Sequence, residues 1–171
     1  LRPVKDPFRA AMAARLLPKS SRIQIVHAGG AMSGAMIDRA CRETQINPRY
    51  RWLGEEPAWR ARKLLMSSQL LVHSSRLEGG ANVISEAIVA GTPIVASRIA
   101  GNTGLLGEDY PGYFKLGDAR DLARVILRAE SDHRFLAELK SHCAKRAALF
   151  DPASERRAWM DLLDEIVREF D

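Results

Sequence analysis

The sequence predicts an α/β fold built on a doubly wound parallel sheet. Apolar, β-branched runs alternate along the chain with segments whose apolar residues recur at helical spacing. Two of the runs, Gln69 to His73 and Pro93 to Ala96, are almost wholly apolar, as strands buried on both faces are. Glycine or proline punctuates nearly every change of element. Strands alternating with helices make a parallel sheet the economical solution.

The elements follow in order. Leu1 already has strand character, and Asp6-Pro7 reads as an N-cap with proline at the first helical position. Phe8, Ala11, Met12, Leu16 and Leu17 continue that helix until Pro18. Arg22 to Ala28 reads as a strand closed by Gly29-Gly30, and Gly34 to Glu43 as a weaker helix. Asn47-Pro48 turns into a short strand, Tyr50 to Leu53, ended by Gly54. Pro57 opens a helix through Trp59, Leu64 and Leu65. After the strand at 69–73, Val83, Ile84, Ala87 and Ile88 mark the inner face of the next helix, and Gly91 precedes the strand at 93–96. From Asp118 onward the spacing is helical throughout: Ala119 to Glu130, Asp132 to Leu149, and Pro152 to Phe170, the last entered by Asp151-Pro152. These tail helices are expected to cover the sheet. With no repeat, low-complexity tract or evident linker, residues 1–171 read as one domain.

The 171 residues are 46% hydrophobic and 27% charged, which suffices for one core. The formal net charge of +5 is dispersed over helices beside acids, as in Glu155-Arg156-Arg157, without a basic stripe interleaved with aromatics. That argues against nucleic acid as partner and suits a small anionic ligand. Cys41 and Cys143 fit neither a disulfide framework nor a metal spacing, and the four histidines make no i, i+4 pair. No metal is expected. No apolar run reaches membrane-spanning length, and cytoplasm is the default compartment.

The most informative stretch is Glu78-Gly79-Gly80-Ala81-Asn82-Val83-Ile84-Ser85-Glu86. It places a glycine turn between a buried strand and a helix entered through small residues. Amides at such a helix start lack intrahelical partners and carry partial positive charge, which suits phosphate. Two carboxylates eight residues apart bracket the turn, one in the loop and one in the helix. In a doubly wound fold, ligands sit beyond the carboxyl ends of the strands. Four loops are therefore expected to converge: Leu1 to Asp6, Ala28 to Ser33, Ser74 to Asn82, and Ser97 to Leu106.

The run Ser75-Arg76-Leu77-Glu78-Gly79-Gly80, continuing through Glu86-Ala87 to Gly91-Thr92-Pro93-Ile94-Val95, resembles the donor-binding half of GT-B glycosyltransferases of the family-four type. The likeness runs from Leu1 to about Leu139. It implies a Rossmann-like C-terminal domain with a helical tail, a UDP-sugar as substrate without a cofactor, and the enzyme's own N-terminal acceptor domain as partner. A narrower likeness is carried by Arg2-Pro3-Val4-Lys5-Asp6-Pro7-Phe8-Arg9-Ala10, Tyr50-Arg51-Trp52-Leu53-Gly54-Glu55, Glu78-Gly79-Gly80-Ala81-Asn82 and Gly104-Leu105-Leu106-Gly107. These are similar to the selenosugar synthases of selenoneine biosynthesis, which join UDP-activated N-acetylglucosamine to selenium from selenophosphate.

The resemblance implies roles. Lys5, assisted by Arg2, neutralises the departing diphosphate, and Glu78 lies beside the transferred sugar; Lys5 and Glu78 are the catalytic candidates. Gly79, Gly80, Ala81, Asn82 and Val83 let the backbone approach the phosphates. Glu86 accepts hydrogen bonds from the ribose hydroxyls, a task suited to an acceptor-only carboxylate. Arg51, Trp52 and Leu53 line the side where the family binds its base, although Trp52 suits sheet core better. Gly101 and Asn102 match the family's glycine loop after the last core strand. Where the family has glycine, a large apolar residue and glycine, this chain has Gly79, Gly80 and Ala81, with Asn82 in an ordinarily apolar place. Two other readings share the scaffold: a nucleotide-sugar 2-epimerase, and a nucleotide-binding module without activity.

Overall fold

A computed structural model describes residues 1–170. Five strands, all paired in parallel, form two small sheets. In one, β1 (Ile25–Ala28) lies beside β2 (Tyr50–Gly54); in the other the order is β3 (Leu71–His73), β4 (Ile94–Ser97), β5 (Tyr113–Phe114). Helices connect them: α1 (Arg9–Ala14), α2 (Gly34–Ile46), α3 (Ala58–Ser67), α4 (Asn82–Ala90), α5 (Ala100–Leu106), α6 (Ala119–Ser131), α7 (His133–Arg146) and α8 (Pro152–Phe170).

The main core surrounds β4, whose four residues are all buried. Ile84 and Ile88 of α4, Leu122, Val125 and Ile126 of α6, and Phe135 and Leu139 of α7 close on it with Phe114. Each such side chain contributes about 1.5–3 kcal/mol by leaving water, so this cluster, rather than helix propensity, fixes the sheet–helix arrangement. A smaller cluster joins Leu1, Phe8 and Ala40 with Trp52 packed against it. Asp118 and Asp132 cap α6 and α7, each accepting from two backbone amides in the first turn, which holds both carboxyls below the ordinary range.

Several sequence expectations require correction. Residues 1–5 form no strand: Pro3, with φ restricted and no amide hydrogen, opens a 3-10 turn over Pro3–Lys5. Asp6 follows at φ 44°, turning the chain toward α1. The Asp6 side chain accordingly does not cap the helix; it accepts from Arg9 Nε at 2.9 Å, and α1 begins at Arg9. Ala100–Leu106, expected as loop, is helical, and the short strand at 113–114 was not foreseen. The helix 132–149 ends at Arg146 and tightens to a 3-10 turn over Ala147–Phe150.

The tail divides. Helices α6 and α7 cover the sheet, but α8 makes its main contact with the 147–150 turn and leaves Trp159, Leu162, Leu163, Ile166 and Val167 exposed. The outer edges of β1 and β3 have no ladder partner among the described residues, and both strands are correspondingly less buried than β4. At their carboxyl ends the N-terminal segment reaches both sheets. Met32 N donates to Leu1 O at 3.2 Å, and Arg76 N donates to Val4 O at 2.7 Å.

Candidate functional site

The four loops do converge. Ser74 Oγ donates to the carbonyls of Lys5 and Asp6 at 3.1 and 3.0 Å, tying the β3 end to the 3-10 turn. Ser97 Oγ donates to Ser75 O at 2.6 Å, tying the β4 end to the β3 end. The loop after β1 joins through the Met32–Leu1 bond already described. At the start of α5, a Cβ built on Gly101 would stand 2.1 Å from Glu78 O and 2.8 Å from Glu78 C. Only glycine permits this approach, so α5 supports the Glu78 loop from below.

Lys5 and Glu78, 73 residues apart, form a hydrogen-bonded ion pair. The Glu78 side chain is 11% exposed and that of Lys5 43%. Burial pushes the Glu78 carboxyl up, but hydrogen bonds from Lys5 and Ser75, with the Lys5 charge, outweigh it and hold the group below the usual carboxylate range. Glu78 is therefore an ionised acceptor at neutral pH, with a cation on its solvent side.

Beyond Glu78, Gly79 and Gly80 are exposed, and a Cβ at either would meet nothing within 4 Å. The turn is open on its outer face. Helix α4 starts with Ala81 as N-cap and no side-chain cap, and the amides of Asn82 and Val83 find no acceptor among the described residues. A nine-residue helix thus begins with uncapped amides directly after the open turn. Asn82 is exposed at the mouth, Val83 is half-buried, and Ala81 is buried in the main core. One turn further, Glu86 is 44% exposed and lies 3.6 Å from Arg62 of α3.

The other predicted residues stand apart. Arg2 is exposed and makes no ion pair among the described residues. On β2, Arg51 is exposed and Leu53 half-buried. Trp52 donates from Nε1 to Gly29 O at 2.9 Å and packs against the Leu1, Phe8 and Ala40 cluster. Its indole is committed to the core, the role its sequence context favoured over base stacking.

Sequence reasoning missed the polar floor of the site. His73, 7% exposed at the end of β3, lies with Nε2 3.2 Å from Ser75 Oγ and 3.7 Å from Glu78 Oε1. Asn102, fully buried, donates to Ser97 O at 2.8 Å and Ser97 Oγ at 3.3 Å. Two sequence signals were present: Asn102, beside Gly101 in the loop that resembles the family's, and a histidine closing an otherwise apolar strand, weighed only as a metal ligand.

A family model described as "Glycosyl transferases group 1" matches residues 1–149. No curated protein matches the sequence. Among solved structures, HepE of Anabaena in complex with UDP superposes with a TM-score of 0.83 at 22% identity, covering 96% of this chain and 46% of HepE. The same protein with UDP-glucose gives 0.80 at 22% identity with the same coverage. A mutant TarM of S. aureus, in complex with Fondaparinux, alpha-GlcNAc-glycerol and UDP, gives 0.75 at 20% identity over 95% of this chain and 33% of TarM. The chain thus spans less than half the length of these neighbours, and the likeness shows the Rossmann-like α/β fold of their C-terminal domains. Among the described residues no helix is long and apolar enough to cross a membrane.

Proposed function

The chain belongs to the glycosyl transferases group 1, and from that premise we propose that it is the donor-binding domain of a glycosyltransferase. The donor is a UDP-sugar, UDP-N-acetylglucosamine in the first instance. The observation that carries the reading is the Lys5–Glu78 pair beside the uncapped α4 amides and the open Gly79–Gly80 turn. A diphosphate needs both a cation and oriented N–H donors, and a sugar hydroxyl needs an ionised acceptor; the Lys5–Glu78 pair and the α4 start that follows Glu78 supply all three.

In this reading the amides of Asn82 and Val83 and the charge of Lys5 receive the diphosphate. They act most strongly as negative charge grows on the leaving UDP, which is where stabilisation accelerates the reaction. Arg2 adds long-range positive potential. Glu78 holds a sugar hydroxyl or faces the positive character at the anomeric carbon, and Glu86 receives the ribose diol. Charge stabilisation is assigned to Lys5 and the amides, so no metal is invoked. Arg51 and Leu53 line the uracil side, with Trp52 fixing their strand from behind. That both HepE complexes carry UDP or UDP-glucose supports the choice of nucleotide.

The acceptor half is a second Rossmann-like domain on the N-terminal side, in keeping with the fraction of HepE that this chain covers. Transfer takes place in the cleft between the two, and this chain alone binds donor with little or no turnover. The acceptor we favour is selenophosphate, giving a selenosugar, on the strength of the motifs shared with selenosugar synthases. Two unpaired cysteines suit a reducing compartment, and we place the enzyme in the cytoplasm.

Calorimetry of UDP binding to this chain tests the donor reading; absence of binding would refute it. Product analysis of the two-domain enzyme with UDP-N-acetylglucosamine, with and without selenophosphate, tests the acceptor. A selenosugar formed only with selenophosphate supports the assignment. An epimerised nucleotide-sugar formed without it would replace the transferase by a 2-epimerase, and binding without any product would make the protein a nucleotide-binding module.

A further inference from the structure

Beneath the Lys5–Glu78 pair lies a closed set of buried polar groups with two atoms left over. Asn102 uses its amide nitrogen on Ser97 O and Ser97 Oγ, which fixes its orientation and turns Oδ1 the other way. Oδ1 of Asn102 is buried without a partner, and so is Nδ1 of His73. Asn102 is among the groups acting on the His73 ring, favouring a proton there. An amide oxygen can only accept, and a ring nitrogen donates only when it carries a proton; the imidazolium carries one on each nitrogen. Nε2 lies 3.2 Å from Ser75 Oγ and 3.7 Å from Glu78 Oε1.

While the ring is neutral, another cation must balance the Glu78 carboxylate. Lys5 does so here. The charged groups acting on the ring among the described residues are Lys5, from the 3-10 turn, and Glu78, from the loop after β3; β4 and α5 contribute only the neutral Ser97 and Asn102. Lys5 disfavours the imidazolium and Glu78 favours it. Moving Lys5 onto a diphosphate would remove one opposing charge and leave Glu78 without its partner.

We propose that His73 is a positioning residue whose ring takes up one proton from solvent when Lys5 is drawn to the donor diphosphate, and so replaces Lys5 as the cationic partner of Glu78. This rests on the donor reading above. Its consequence is that Glu78 stays ionised and in place while Lys5 works on the leaving group. Burial of the free ring holds its pKa near 4, so the proton is absent before donor binds.

Titration calorimetry with UDP-N-acetylglucosamine, whose diphosphate ester does not titrate near neutrality, reads the proton directly. Run near pH 7 in phosphate and in Tris, buffers of different ionisation enthalpy, it should show net uptake of up to one proton per donor bound. Affinity should rise as pH falls, by up to about tenfold per pH unit. His73→Gln should abolish both the uptake and the slope. Long-range proton–nitrogen NMR on the unmutated chain supplies a readout that needs no variant: a neutral imidazole when free, an imidazolium when donor is bound. Binding with no proton uptake, a ring that stays neutral in the donor complex, or an unchanged slope in H73Q would overturn the role of His73 and leave the donor reading standing. Failure of the wild-type chain to bind either UDP or the UDP-sugar would sink both.

Discussion

Substituting Gly101→Ala tests whether α5 sets the position of Glu78. The new Cβ would stand 2.1 Å from Glu78 O, 2.8 Å from Glu78 C and 3.1 Å from Glu78 Cβ. Two of these are main-chain atoms, which cannot swing aside as a long side chain can. Restoring ordinary carbon–oxygen contact at about 3.3 Å needs a displacement of about 1 Å. Over-packing of this kind typically costs about 1–3 kcal/mol of stability. A misplacement of about 1 Å at a reacting centre can cost on the order of 100-fold in rate. The variant should therefore unfold at lower denaturant, bind UDP about tenfold more weakly, which is about 1.4 kcal/mol, and lose most turnover in the two-domain enzyme. Gly104→Ala, on the same helix, is the control, since a Cβ there meets nothing within 4 Å and its φ is ordinary. Denaturant melts followed by UDP calorimetry on both variants decide the matter. If G101A binds UDP as tightly as wild type, α5 does not position the Glu78 loop and the reasoning is wrong.

Three further outcomes are expected. Glu86→Ala should weaken UDP binding while shifting stability by no more than about 0.5 kcal/mol, because the side chain is 44% exposed and its Arg62 pair lies on the surface; unchanged affinity would remove Glu86 from the site. Tyr110→Phe should destabilise the fold by about 1–3 kcal/mol, since its hydroxyl donates to Ile94 O at 2.6 Å and accepts from Ile94 N at 3.2 Å in the core; UDP affinity of the folded protein should stay the same. Stability of the free protein should fall with pH between about 6.5 and about 4. Burial lowers the pKa of both His27 and His73 to about 4, so the unfolded chain binds more protons across that window and stability rises with pH. For His73 the whole effect amounts to at most about 3 kcal/mol, and H73Q should flatten the curve.

The site was partly legible because its chemistry is local. A glycine turn between an apolar strand and a small-residue helix start is written within nine consecutive residues, and it placed Glu78 in the loop and Glu86 on α4. Proline misled at the N-terminus: Asp6-Pro7 has the composition of a helix entry, yet Pro3 already commits the chain to a 3-10 turn, and the Asp6 carboxylate pairs with Arg9 instead. Helix α5 escaped notice because glycines at 101 and 104 lower its propensity. It exists because Leu106 and Asn102 are buried against the core and the Glu78 loop demands the space.

Sequence alone determined the alternation of strand and helix, the parallel pairing, and the glycine turn before α4, since each depends on neighbours a few residues apart. Tertiary structure decided which distant groups meet. Lys5 reaches Glu78 across 73 residues, and His73 comes to rest with Nε2 3.7 Å from Glu78. Periodicity encodes which face of an element is buried. Packing of one element on another determines which polar atom on that face finds a partner, and which is left waiting for one.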